Sequence, residues 1–189
     1  MSEPSSWNAF WHRAEPAINL TMLRIVASGT ALWVLLSRPS LPQIASWPRP
    51  FYDSIPAGTR IRYGLFADTF LEQALFVVLI GMLVLAAAGV AVRATAFASA
   101  LLLYHFAPFE SVIWTPNPYL RGLTIPLLAL LFIAFGPPHR DGTALVSAWP
   151  VRAVQVVLAQ MYFFAGYAKL LTSGIAWAGG ENIGRYLQL

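Results

Sequence analysis

Five stretches of the chain are almost entirely apolar, and polar or helix-breaking residues separate them. A run of about 20 apolar residues can cross the hydrocarbon core of a bilayer as an α-helix. Proline, glycine and arginine mark the ends of the runs. The pattern predicts an all-α fold, a single polytopic transmembrane helix bundle over residues 1–189. Its spans are expected near residues 18–36, 70–92, 94–109, 119–135 and 151–172.

The connections between these runs predict how the spans are joined. The longest, 37–69, contains five prolines, which exclude a long helix there. By contrast, little more than Arg93 separates the second run from the third, so these two spans should form a tight hairpin. The first 17 residues carry Trp7 and Trp11, which indicate a short segment at the membrane surface.

Composition supports a membrane protein. Hydrophobic residues make up 58% of the chain and charged residues only 11%, whereas a soluble domain has about 25% charged residues. The net charge of +4 comes from scattered arginines, a pattern that does not indicate nucleic-acid binding. There are no cysteines, and the three histidines lack metal-ligand spacing, so no metal is predicted. We expect a multi-pass protein of the bacterial inner membrane, with its orientation and oligomeric state left open.

A charged residue lies one or two turns inside each of the first two predicted spans. Arg24 lies on the second turn of the first span, where it could reach the headgroups or pair with an acid on another helix. Glu72 lies on the first turn of the second span, where the helix dipole favours an anion. Because an unpaired charge facing lipid is costly, each should pair with a polar group inside the bundle or reach the headgroups.

Lys169 is the single lysine, and it lies near the end of the fifth span. At 3.6 residues per turn it shares a face with Gln155, Tyr162 and Gly166, a polar and small stripe that favours helix contacts or a cavity. Two interpretations stay open. The amine either reaches the headgroups, or it is desolvated, gives up its proton more easily and acts as a general base. His105, near the end of the third span, is likewise either a packing residue or a catalytic one.

With five spans, the loop after the third span and the end of the fifth lie on the same side of the membrane. Lys169, Asn117, Tyr119 and His105 are therefore predicted to approach one another there. In this prediction Lys169 and Asn117 are the catalytic candidates. The candidates for substrate binding are Tyr119, Arg121, His105, Tyr162 and Trp177.

The lysine segment also resembles a known family. The stretch 162–170, YFFAGYAKL, followed by Trp177 and Gly179-Gly180, is similar to the Y-F-x-A-G-x-x-K-L…W-x-x-G signature of the vitamin K-dependent gamma-carboxylase-like family. That family is also called the horizontally transferred transmembrane (HTTM) domain. Trp114 and the stretch 117–122 resemble its W…N-H-x-Y-L-x-G segment. Further similarities lie at Leu23-Arg24-Ile25, Asp141-Gly142, Pro150 and Arg152.

The resemblance implies a function for Lys169. In the carboxylase branch, the lysine at this position is the base that deprotonates a vitamin K hydroquinone, the implied cofactor. Asn117 stands where the family has a histidine, and an amide cannot transfer a proton at neutral pH. The chain also ends soon after the lysine helix, which suggests a shortened homologue or a fragment. Both departures argue against gamma-glutamyl carboxylation itself.

Three functions remain open, and enzyme activity is not decided among them. The first is an enzyme-like protein that binds a quinol-type lipid and uses Lys169 as a base. The second is a non-catalytic protein of the same fold, acting in lipid binding, export or immunity. The third is a DoxX-like redox-associated membrane protein. The YFFAGYAKL segment favours the first two, and Asn117 favours the second over carboxylation.

Overall fold

A computed structural model describes residues 6–37, 43, 69–113, 122–136 and 145–174. The described chain is mostly helical. Its helices are α1 (Ser6–His12), α2 (Ala17–Leu36), α3 (Thr69–Ala88), α4 (Val92–Ile113), α5 (Thr124–Phe135) and α6 (Trp149–Ser173). Two short strands, β1 (Ala14–Pro16) and β2 (Leu145–Ser147), complete the described elements.

Each of the five apolar runs contains a helix, as the sequence pattern predicts. Three of these helices are long and apolar enough to cross a membrane: Ala17–Leu36, Phe70–Ala88 and Trp149–Thr172. The apolar parts of the other two, Val92–Ala107 and Thr124–Phe135, are shorter. The helical class is therefore confirmed, and the described chain contains three candidate membrane spans.

The chain divides into two compact units, Met1–Val154 and Gln155–Leu189. In the first unit, α2, α3, α4 and α5 form a ring in which α2 and α4 each pack against both α3 and α5. The centre of the ring is filled mainly by leucine and alanine. Its fully covered apolar side chains include Ala31, Leu35, Leu79, Leu83, Ala86, Ala96, Leu103, Phe106 and Leu130.

The predicted hairpin between the second and third spans is confirmed, because only residues 89–91 join α3 to α4. The Val90 N–H donates to the Leu85 carbonyl at 3.0 Å, and the Gly89 N–H donates to the Ala86 carbonyl at 3.1 Å. With Gly89 at φ +85°, these bonds form a Schellman motif, which ends a helix. The helix therefore stops at Ala88, four residues before the predicted end of the span.

The two strands pair next to the first helix. β1 and β2 are antiparallel, with Ala14 opposite Ser147 and Pro16 opposite Leu145, and the Ala148 N–H donates to the Arg13 carbonyl at 3.0 Å. The sequence analysis did not predict this sheet, because three residues are too few to show an alternating pattern. The predicted surface segment is α1, in which Trp7 and Trp11 pack edge to face.

In the second unit, α6 continues as a regular helix to Ser173. Most side chains of this part are exposed, including large ones such as Tyr162, Phe163, Phe164 and Leu171. The Phe163 and Tyr167 rings are stacked, with 6.3 Å between centroids and 4° between planes. This part of α6 is thus an apolar, aromatic helix with its side chains facing outward.

Candidate functional site

The first unit has large apolar side chains on its outside, and its mainly apolar interior also contains a few polar ones. Trp33, Phe70 and Val77 are each about 70% exposed or more. In contrast, five polar or charged side chains are buried among the residues that the structure describes, namely Arg24, Ser28, Glu72, Thr95 and Ser99. Extended apolar surface is unfavourable in water and normal against lipid, whereas ionisable groups at membrane depth usually face the bundle interior. The buried charges are therefore the first candidates for a functional site.

Glu72 and His105 form a close pair inside the bundle. The His105 Nε2 atom lies 3.0 Å from Glu72 Oε1 and 2.9 Å from Oε2. Only 1% of the Glu72 side chain and 14% of the His105 side chain are exposed. The two residues come together because α3 and α4 are antiparallel, and they lie at similar distances from the turn between them. With its proton on Nε2, the imidazole donates to both oxygens of the carboxylate.

Aromatic rings surround this pair. Phe76, one turn after Glu72 on α3, packs edge to face on Phe106 of α4, with 5.6 Å between the ring centroids. The His105 ring packs edge to face on Phe106 at 5.0 Å. A low-dielectric environment of this kind strengthens a satisfied hydrogen bond. Of the two alternatives predicted for Glu72, the structure has pairing with a polar group inside the bundle, and the ring nitrogen of His105 is satisfied by that pair.

Arg24 is buried without an acidic partner in the described chain. Only 6% of the residue is exposed, and its Nε atom has no hydrogen-bond partner among the described residues. The guanidinium packs on the α3–α4 turn, where Nη1 and Nη2 each lie 3.0 Å from the position that a Cβ on Gly89 would occupy. It is thus next to the carboxyl end of α3, whose dipole favours a cation. An ion pair with an acid on another helix, one of the two alternatives predicted for Arg24, is not found in the described residues.

The same end of the bundle carries further arginines. Arg152 Nη2 donates to Glu15 Oε1 at 2.6 Å, and its guanidinium lies 5.4 Å from the centre of the Phe10 ring. Arg93 Nε donates to the Ala134 carbonyl at 3.2 Å, which connects the start of α4 to the end of α5. These contacts join elements that are distant in sequence. The arginines that make them give this end of the bundle its basic character.

The predicted Lys169 cluster remains a prediction. Lys169 and Tyr162 are exposed residues of α6 in the second unit, and His105 belongs to the first unit. Asn117, Tyr119, Arg121 and Trp177 lie outside the described residues. The sequence analysis missed Ser28, Thr95 and Ser99. Their four-residue spacings, Arg24 to Ser28 and Thr95 to Ser99, were the available signal, because polar residues four apart share one helix face.

No group of three or more potential metal ligands occurs in the described parts of the chain. Comparison with known proteins gives no relative: no family model matches the chain, and no curated protein or solved structure is similar to it.

Proposed function

We propose that this chain is a multi-pass membrane protein with five spans, related to the vitamin K-dependent gamma-carboxylase-like or HTTM family. In this proposal it lies in the bacterial inner membrane and binds a quinol-type lipid, with Lys169 as the general base. The observation that carries the membrane assignment is the apolar outer surface of the bundle, with large side chains such as Trp33, Phe70 and Val77 exposed. The family and ligand rest on the YFFAGYAKL segment and its resemblance.

Helix lengths support five spans. The backbone of α4 runs for 22 residues, which at 1.5 Å per residue is about 33 Å and matches a hydrocarbon core of about 30 Å. At 12 residues, α5 extends only about 18 Å, and the predicted fourth span begins at residue 119, before the described start of α5. α5 nevertheless closes the ring between α2 and α4, as a spanning member of the bundle would.

The chemistry of α6 supports a quinol-type ligand. A quinol is a flat apolar ring with two hydroxyl groups, so it requires an aromatic surface and a group that accepts a proton. The stacked Phe163 and Tyr167 rings form such a surface. Tyr162, Gly166 and Lys169 lie on the neighbouring face of the same helix, three or four residues apart.

The membrane proposal can be tested by cysteine labelling, because the chain contains no cysteine of its own. Single cysteines would be placed at Ser37, Ala91 and Leu145, all exposed and all in the first unit. A membrane-impermeant thiol reagent added to inner-membrane vesicles should label Ala91→Cys and Leu145→Cys from the same side. Ser37→Cys should have the opposite accessibility: sealed vesicles should label either Ser37→Cys or the other two variants, and opened vesicles should label all three. Equal labelling of all three in sealed vesicles would contradict a spanning bundle.

The ligand proposal can be tested with a photoreactive menaquinone analogue and the protein in nanodiscs. We expect cross-links to concentrate on the α6 peptide, and Lys169→Ala and Tyr162→Ala to reduce them by about tenfold. Gln160→Ala, an exposed polar residue of the same helix, is the matched control and should not change the yield. Cross-links spread evenly over all helices, or a yield unchanged in Lys169→Ala, would refute quinol binding at this helix.

A second candidate is a non-catalytic protein of the same fold, which Asn117 favours because its amide replaces the proton-transferring histidine of the family. The two candidates differ in turnover. An enzyme-like protein should accelerate oxidation of the quinol to the quinone by added molecular oxygen, which is reduced to hydrogen peroxide, and this acceleration should be lost in Lys169→Ala. The non-catalytic candidate should bind the analogue without any acceleration.

A further inference from the structure

Four polar side chains occupy one end of the ring interior. Arg24 and Ser28 lie one turn apart on α2, and Thr95 and Ser99 lie one turn apart on α4. Arg24 and Thr95 are each 6% exposed, and Ser28 and Ser99 are completely buried. Because α2 and α4 each pack between α3 and α5, their buried faces are directed into the same interior.

Contacts with the α3–α4 turn show how deep these residues lie along the bundle. The Arg24 guanidinium packs on Gly89, and Thr95 Oγ1 donates to the Val90 carbonyl at 3.0 Å. Arg24 and Thr95 are therefore at the level of the turn. Ser28 and Ser99 follow one turn deeper, at about 5.4 Å along their helices.

Three of these residues have polar atoms that are buried without a partner in the described chain: Arg24 Nε, Ser28 Oγ and Ser99 Oγ. Thr95, in contrast, is satisfied by carbonyl groups of the turn. Buried polar groups are nearly always hydrogen-bonded, so unpaired ones need an explanation. A buried cation with two unpaired hydroxyl groups indicates a missing acceptor that carries negative charge.

We propose that Arg24, Ser28 and Ser99 bind the phosphate group of an anionic phospholipid. A guanidinium offers a planar set of donors that fits phosphate oxygens, and each serine hydroxyl can donate one further hydrogen bond. The site lies at the basic end of an apolar bundle, with the exposed Arg13 and Arg93 at the same end. Basic pockets between membrane helices typically bind anionic headgroups. This site is independent of Lys169 and of any quinol.

The test measures thermal unfolding and lipid binding by native mass spectrometry, using the full chain in a neutral detergent. Phosphatidylglycerol, phosphatidylcholine and inorganic phosphate are added separately. We expect phosphatidylglycerol to raise the Tm of the wild type and phosphatidylcholine to have little effect. Arg24→Gln should weaken phosphatidylglycerol binding by at least about tenfold, the size expected for losing charge-assisted hydrogen bonds. Arg13→Gln, which removes an exposed arginine at the same end, should weaken it by less than about threefold.

Arg24→Gln should fold, since it removes a buried charge that has no acidic partner in the described chain, and its Tm without lipid should equal or exceed that of the wild type. If this variant does not fold, the Ser28→Ala/Ser99→Ala double variant replaces it, with an expected loss of about tenfold in binding. A Tm increase with inorganic phosphate equal to that with phosphatidylglycerol would identify free phosphate as the source of the anion. Equal binding of the two lipids, or binding unchanged in these variants, would overturn the proposal.

Discussion

Two buried charged residues of the described chain lie at opposite ends of α3, and their hydrogen-bonding groups are satisfied differently. Glu72 lies on the first turn of α3 and is hydrogen-bonded to His105. Arg24 lies against Gly89 beyond the last turn of α3, and its Nε has no partner in the described chain. The dipole of α3 favours both placements, an anion at its amino end and a cation at its carboxyl end. The Glu72 carboxylate has a hydrogen-bond partner within the protein, whereas the Arg24 Nε has none in the described chain.

This difference matters because burial makes polar groups costly in either case. A pair that is closed within the protein mainly rigidifies the bundle. An unpaired cation stabilises nothing by itself, and its retention is easier to explain by a ligand than by the fold. Mutations at the two ends should therefore have opposite effects on the stability of the lipid-free protein.

The largest effect is expected at the paired end. Glu72→Ala removes the carboxylate that contacts His105 Nε2 in the interior and should lower the free energy of unfolding by about 3 kcal/mol. Glu72→Gln keeps an amide group for Nε2 and should cost about 1 kcal/mol. Unfolding in mixed detergent, followed by circular dichroism, measures both. A loss below about 0.5 kcal/mol in Glu72→Ala would show that the pair contributes little to the fold.

The double variant Glu72→Leu/His105→Leu sharpens this test. Replacing both members by apolar residues removes the pair without leaving an unpaired group, so most of the lost stability should return. The single variants Glu72→Leu and His105→Leu complete the comparison. If the double variant loses as much stability as these two single variants added together, the two residues act independently.

A smaller effect is expected at the turn. Gly89→Ala forces a side chain into a left-handed backbone conformation and against the Arg24 guanidinium, and should cost about 2 kcal/mol. In an Arg24→Gln background the shorter side chain leaves room, so the cost should fall to about 1 kcal/mol, that of the backbone alone. Gly81→Ala, whose new Cβ meets nothing within 4 Å, is the control and should be neutral or stabilising. If Gly89→Ala costs the same stability in the wild type and in Arg24→Gln, the Arg24 guanidinium does not clash with a side chain at residue 89.

The smallest effect is expected for the partly exposed pair Glu15–Arg152. Its side chains are 18% and 27% exposed, so water and salt weaken the attraction. A double-mutant cycle with Glu15→Ala and Arg152→Ala should give a coupling of about 0.5 kcal/mol that decreases in high salt. A coupling above about 2 kcal/mol would place this pair among the buried interactions.

The sequence pattern predicted the helices and the α3–α4 hairpin, because long apolar runs and a short break are strong local signals. It also predicted that Glu72 either pairs with a polar group inside the bundle or reaches the headgroups. It could not identify His105 as that partner, since the register between α3 and α4 depends on how the turn at 89–91 is built. The contact between Arg24 and Gly89 is likewise a product of that turn. The Lys169 cluster depends on residues outside the described ranges, so it stays a prediction.

The pairing of β1 with β2 has a consequence for the order of assembly. β1 immediately precedes α2, and β2 immediately precedes α6, so the sheet joins segments separated by most of the chain. During synthesis, α2 emerges long before β2 exists, and such long-range contacts form late because the intervening loop must close first. The short sheet can therefore form only after α2, α3, α4 and α5 have been made, which makes it a natural marker that the ring of helices is complete.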